Sequence, residues 1–461
     1  MSTPTDTATA AAAAIASGEL TPVELTELLL ERVAATEPSL HAYATVTADM
    51  ARKQAEQLTE ELSQGRTRSR LHGIPVGIKD LIDTAGIATS YGSPRFTGHI
   101  PDSDAAAVSR LREAGVVILG KHTTHELAWG GRTDSAFFGP THNPYRHGHI
   151  PGGSSGGSAA SVVAGSSLGA LGSDTAGSVR IPAALSGCVG FKPSRGRIPL
   201  DGVLPLAPSL DHLGVLARTV DDAALLMDGL ATPTSPAARR EPGRPLRIGW
   251  LGGWYDAVLA PEVRAALATT RALLENEGLH VDDVTIPDEP LMPEALLARI
   301  VGEAGAFHRA AFEQDPTLFG ADIAELMRLP APRAEQVDRN EAALSRLVAA
   351  LLEALRSYDV LASATVPVTA PPIGAHTLSV AGRDWPIEFV LTRLTSPFNA
   401  AGLPALSLPV ALSGGLPVGL QVAGPALGDA VVLEAARVVE QVCPPLPRPA
   451  GAEPISQGGS R

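Results

Sequence analysis

The stretch from Gly152 to Arg180, GGSSGGSAASVVAGSSLGALGSDTAGSVR, constrains this chain more than any other. It holds two loops of glycine and serine, GGSSGGS at 152–158 and GSDTAGS at 172–178. Each runs into an apolar segment suited to begin a helix. Between them SLGALGSD is apolar, flanked by glycine and too short for a helix, so it predicts a buried strand. Two serine-bearing turns would then stand at two helix N-termini, where free N–H groups and the helix dipole favour negative charge. A developing oxyanion would be held in such a place. Two other readings compete. A flexible linker would not have these apolar flanks. A phosphate cradle of the P-loop type needs GxxxxGK[ST], and no lysine follows these glycines.

Around this stretch the pattern alternates. TPVELTELLLERVAATEP, 21–38, opens with a capping residue and a proline at the first helical position, and its leucines recur at helical spacing. A charged helix is predicted over about 47–63. GIPVGIK reads as a strand, 104–115 as a helix stopped by Gly115, and VVILGK as the next strand. This rhythm predicts an α/β fold: one large domain with a mixed, twisted β-sheet covered by helices on both faces. Residues 1–10 are expected to fray. Segment 231–245 reads as an exposed connection, 290–357 as helices broken at Leu329–Arg333, and the proline-rich end as mobile. The expected division is a helical segment at 1–65 packed on the core, the main α/β domain at 66–445, and a tail at 446–461.

A chain of 461 residues suffices for a large core, and its net charge of −13 with no basic block argues against nucleic-acid binding. Two widely separated cysteines, Cys188 and Cys443, make neither a disulfide framework nor a zinc site and fit a reducing, cytoplasmic setting. No basic signal-peptide start and no apolar run long enough to span a membrane is present. His122 and His125, and the group His142, His147 and His149, lack the partners of a metal site and read as ordinary histidines.

Lys79 ends the GIPVGIK strand, Ser154 opens the SS pair, and Ser178 closes GSDTAGS; the intervals are 75 and 24 residues. On these motifs the chain resembles the amidase signature family, from about Thr21 to Val442. Ala176, where many members have glycine, is a departure that keeps the backbone N–H. The resemblance implies a Ser–cis-Ser–Lys triad with Ser178 as nucleophile, Ser154 as bridge and Lys79 as base. It implies a cis bond between Gly153 and Ser154, and an oxyanion hole from the N–H groups of Thr175, Ala176, Gly177 and Ser178. Ser155 would support the network, and Asp174 and Arg180 would brace the loop. No metal or other cofactor is implied. A lysine serves as base only when neutral, so burial must lower its pKa from about 10.4 toward ~7–8.

The expected activity is hydrolysis of a small-molecule amide, aryl or otherwise apolar, with carbamates (urethanes) and esters as further substrates, by a monomer or homodimer. One rival is the glutaminase component of glutamyl-tRNA amidotransferase, which liberates ammonia from glutamine within a complex. In its D-x-x-T-x-P-x-N-type segment an aspartate holds the substrate ammonium; here the segment is TRLTSPFN, with Thr392 in that place. A second rival is a non-catalytic binding protein on the same fold. Phe307, Phe312, Phe319, Trp385, Phe389 and Phe398 are candidates for pocket walls or for plain core. Phe137, Phe138 and Tyr145, in the loop before the reactive turns, are candidates of the same kind.

Overall fold

The computed structural model describes residues 5–135, 137–232, 244–287, 289, 291–330 and 333–452. The chain opens with helices α1 (Ala8–Ser17) and α2 (Pro22–Leu40). Helix α1 lies partly where fraying was expected. Thr7 accepts from the Ala10 N–H, and Asp222 accepts from both the N–H and the hydroxyl of Thr9, which docks the helix start on the body. Thr21 and Glu24 cap α2 reciprocally, with Pro22 in its first turn.

Strand β1 (Tyr43–Val46), which the sequence pattern does not announce, precedes α3 (Ala48–Ser63). Then come β2 (Pro75–Lys79), α4 (Ala106–Glu113) and β3 (Val117–His122). The reactive stretch follows as α5 (Gly156–Ala164), β4 (Gly169–Ser173) and α6 (Arg180–Ser186). Beyond it lie β5 (Val189–Lys192), β6 (Leu213–Ala217) and α7 (Val220–Leu230). Of the expected connection at 231–245, residues 233–243 lie outside the described residues.

The second half runs β7 (Arg247–Gly253), α8 (Pro261–Asn276), β8 (His280–Ile286) and three helices. These are α9 (Met292–Gln314), α10 (Ala321–Arg328) and α11 (Ala334–Ala354), with the break between the last two at the expected prolines. Strand β9 (Val360–Ala364), helices α12 (Ile387–Thr392) and α13 (Ser396–Ala400), strands β10 (Ala405–Ser413) and β11 (Leu416–Ala423), and α14 (Asp429–Val442) complete it. After α14, Arg448 pairs with Asp6 at 3.0 Å and Tyr145 Oη donates to the Pro447 carbonyl at 2.9 Å; residues 453–461 of the expected tail lie outside the described ones.

Among the described residues, eleven strands form one mixed sheet in the order β1-β3-β2-β4-β6-β5-β10-β11-β9-β7-β8. Helices cover both faces. Strands β2, β3 and β4 are parallel, with Lys79 opposite His122 and Ile78 opposite Leu171. Every residue of β2, β3 and β4 is buried, as continuous apolar strands sandwiched between helices should be. Their shared C-terminal edge is where the loops into α5 and α6 gather.

Candidate active site

Lys79 is the last residue of β2 and is fully buried. Its Nζ lies 2.6 Å from Ser154 Oγ and 2.8 Å from Ser173 Oγ. Ser173 ends the neighbouring parallel strand β4, so strand register alone brings it to the lysine. No sequence signal marks this serine, because the register of β2 against β4 is not written in either segment. Burial pushes the Lys79 ammonium down to about 7, against the opposing pull of Asp174 and Asp211. A lysine of this kind shares its proton near neutral pH.

Ser154 and Ser155 stand just before α5. The Gly153–Ser154 peptide bond is cis. The Ser154 carbonyl accepts from the His125 N–H at 3.1 Å and from Thr133 Oγ1 at 3.3 Å, and the same threonine hydroxyl donates to the Gly152 carbonyl at 2.9 Å. A Cβ on Gly153 would lie 2.7 Å from the Arg132 nitrogen, so only glycine fits there. Ser155 binds the neighbouring segments on two sides: its N–H donates to the Ser178 carbonyl at 3.1 Å, and its hydroxyl to the Ser173 carbonyl at 3.2 Å.

Ser178 lies between β4 and α6, with 7% of its surface exposed, on the wall of a cavity of about 420 Å³. Its hydroxyl makes no hydrogen bond among the described residues. Of the expected relay, the Lys79–Ser154 link is closed and the Ser154–Ser178 link is open.

The loop is braced from behind. Asp174 and Arg180 are both fully buried and meet in two contacts, Nη2 to Oδ1 at 2.9 Å and Nε to Oδ2 at 3.0 Å. Arg180 also donates to the Thr395 carbonyl, Gln421 Oε1 and Asn399 Oδ1. Burial alone would raise the Asp174 carboxyl; the Arg180 charge and its hydrogen bonds outweigh this and hold it well below the usual carboxylate range. Asp174 Oδ1 also accepts from the Gly177 N–H at 2.8 Å.

That contact corrects the expected oxyanion set. The Gly177 N–H is committed to a carboxylate inside the loop and does not stand free for an oxyanion. The N–H groups of Thr175, Ala176 and Ser178 make no hydrogen bond among the described residues. Gly177 has φ +127°, and a Cβ there would come 2.2 Å from Thr395 Oγ1, so glycine serves backbone shape at this position.

The cavity in front of Ser178 is walled by Leu296, Leu297 and Ile300 of α9, Leu326 and Leu329 at α10, and Phe389 of α12. Phe389 is the one among the six expected wall aromatics that lines it. Phe312 and Phe319 pack edge-to-face in the core, with ring centroids 5.5 Å apart, and Phe398 is buried against Tyr255. Phe307 faces solvent, and Trp385 stacks under Arg383. Phe137 and Phe138 are exposed and away from this cavity. Thr392 lines the cavity, with its hydroxyl donating to the Glu388 carbonyl. At the other end Arg132 is buried and bonded to Asp134, Asp322 and Glu388, a cluster that no sequence motif announces.

Neither histidine group forms a metal site: no cluster of three or more metal-ligating side chains occurs among the described residues. His122 is buried beside β2, where burial holds it neutral with a pKa of about 3, and His125 Nε2 donates to Asp322. No helix among the described residues is long and apolar enough to cross a membrane.

Residues 24–433 match the family model described as Amidase. From Roseiflexus sp. (strain RS-1), the glutamyl-tRNA(Gln) amidotransferase component of the first, or A, type is 36% identical over 467 residues, covering 93% of this chain and 94% of that one. Among solved structures, a crystal structure of an amidase shares 35% identity at a TM-score of 0.87, covering 94% of this chain and 99% of its own. The peptide amidase PAM, in complex with the competitive inhibitor chymostatin, shares 32% at 0.79, covering 96% and 98%. A family match across most of the chain, together with a fold shared at this identity, shows that the chain belongs to the amidase signature family.

Proposed function

We propose that this protein hydrolyses a carboxamide C–N bond through an acyl-enzyme on Ser178. One observation carries the reading: a buried lysine with a pKa of about 7 lies 2.6 Å from the hydroxyl of Ser154, beside the segment that presents Ser178. With a carbonyl bound, the Ser178 hydroxyl turns to Ser154 and closes the open link. Catalytic hydrogen bonds of this kind tighten in the complex. Ser178 Oγ attacks the carbonyl carbon, and its proton passes through Ser154 to Lys79. The N–H groups of Thr175, Ala176 and Ser178 receive the oxyanion. The proton returns to the leaving nitrogen, the C–N bond breaks, and water hydrolyses the ester to free the acid and restore Ser178. Ser173 holds the lysine on its other side. Ser155 joins the two serine loops, and Asp174 with Arg180 keeps the nucleophile loop in shape.

The cavity walls favour an apolar substrate, with aryl and alkyl amides ahead of carbamates and esters. The curated relatives favour a second reading, a glutaminase working within an amidotransferase complex. Against it stands Thr392, a neutral hydroxyl where the glutaminase motif has an aspartate for the substrate ammonium. A substrate panel of glutamine, aliphatic amides, anilides and aryl carbamates separates the two. Hydrolysis of anilides or alkyl amides with glutamine untouched supports the first reading, and turnover confined to glutamine supports the second. A fluorophosphonate that fails to label Ser178 would favour a non-catalytic protein on this fold.

A further inference from the structure

The charged end of the cavity has an uneven surface. Arg132 is the one guanidinium among the described residues that line it, and its side chain is only 5% exposed. All three of its nitrogens are engaged. Nε meets Glu388 Oε1 at 3.0 Å, Nη1 meets Asp134 Oδ2 and His376 Nδ1, each at 3.2 Å, and Nη2 meets Asp322 Oδ2 at 2.8 Å. A guanidinium can only donate, so His376 Nδ1 accepts and carries no proton in this contact.

The carboxylates are placed the other way. Asp322 and Glu388 keep 38% and 33% of their side-chain surface exposed, and both line the cavity. Glu325, one turn along α10 from Asp322, also lines it, is exposed, and has no partner among the described residues. The cation is therefore underneath and saturated, while three carboxylates face the space. Even with His125 protonated against Asp322, two cations stand against the four carboxylates Asp134, Asp322, Glu325 and Glu388.

Resting on the reading of this cavity as an amidase substrate site, we propose that Asp322, Glu325 and Glu388 select its substrates. The site takes amides with an apolar body whose remote end carries an ammonium or similar cation, and it rejects amides ending in a carboxylate. Leu296, Leu297, Ile300 and Phe389 cover the apolar body, and the carboxylate face meets the charge. A carboxylate there would face three like charges and find no unoccupied guanidinium on the cavity wall.

Binding to the Ser178→Ala protein tests this without turnover. Calorimetry would compare hexanamide with its ω-amino and ω-carboxy counterparts. The ω-amino amide is expected to bind about tenfold tighter than the ω-carboxy amide, the sum of one modest attraction and one modest repulsion at a partly exposed site. Glu325→Gln combined with Glu388→Gln should shrink that ratio to about threefold or less, and raising the salt should shrink it in the parent. Equal binding of the three amides, tighter binding of the ω-carboxy amide, or a preference that survives both substitutions and high salt would overturn the proposal. Turnover by the unmodified enzyme separates the two claims. Hydrolysis of all three at equal kcat/KM sinks the selection and leaves the amidase reading intact. A tenfold binding order in a protein that no amide or fluorophosphonate acylates sinks the amidase reading and leaves the selection.

Discussion

Lys79 Nζ and Ser154 Oγ lie 2.6 Å apart in the interior, although 75 residues separate them in the chain. The lysine arrives at the end of a sheet strand and the serine at the mouth of a helix. Neither segment holds the other without the sheet between them.

The pH profile is the first test of this contact. Lys79 has a pKa of about 7, lowered by burial, and only its neutral form accepts a proton. Activity is lost on the acid side, where the ammonium dominates, and kcat/KM should rise with pH through about 7 and level off above it. A kcat/KM that falls as pH rises through this range would contradict a lysine base. The sign for stability follows from the same shift. The unfolded lysine holds its proton up to about 10.4. Between about 7 and that value the unfolded state binds more protons, so this group's contribution to stability rises with pH there.

Substitutions at the two serines of the relay and at the lysine should grade in effect. Ser178→Ala abolishes turnover and fluorophosphonate labelling. Lys79→Ala lowers kcat/KM by about 10²–10⁴, the range for a general base. Ser154→Ala costs less than Lys79→Ala, because water can take the place of the bridging hydroxyl. Near-parental kcat/KM in Lys79→Ala across neutral pH would remove the base assignment.

Ser173→Ala takes away the second hydroxyl at Lys79, 2.8 Å from Nζ. It should lower kcat about tenfold with little change in KM, the loss of one hydrogen bond to a group that moves protons. Its pH–rate midpoint should also move away from that of the parent. A change in KM alone would place Ser173 in substrate binding instead.

Asp174→Ala leaves the Arg180 guanidinium buried without its carboxylate. Stability measured by denaturant unfolding should fall by about 3–5 kcal/mol, the cost of breaking a buried pair from one side. A loss under about 1 kcal/mol would mean that Asn399, Gln421 and the Thr395 carbonyl satisfy Arg180 by themselves.

Gly177→Ala should be folded and inactive. Its Cβ would press on Thr395 Oγ1 at 2.2 Å and demand a left-handed backbone of an alanine, shifting the N–H groups of Thr175, Ala176 and Ser178. Circular dichroism and thermal unfolding should report a native fold while kcat drops. Full activity in this variant would show that the loop has another place for the oxyanion.

Much of the fold is local in origin and therefore readable in the residues. The Thr21–Pro22 start of α2, the stop after α4 at Gly115, and the alternation of buried strands with helices follow from capping, backbone freedom and apolar spacing within each segment. The motifs also place Lys79, Ser154 and Ser178 in one family's pattern without any distance being known. Helix α1 escapes such a reading because its anchor, Asp222, lies in another part of the chain. Strand β1 escapes it because a four-residue edge strand has too little periodicity to declare itself.

What the residues determined by themselves was the reactive stretch, the family chemistry and the α/β class, since each depends on residue types at short range or fixed intervals. Tertiary structure alone decided three things. Strand register brought Ser173 to Lys79. Loop folding turned the Gly177 N–H onto Asp174 and away from the cavity. Packing of α10 and α12 against the loop holding Arg132 buried the guanidinium and left Asp322, Glu325 and Glu388 on the cavity wall. Each of these depends on which atoms meet across long sequence separations, and hydrogen bonding and burial settle that only once the sheet has formed.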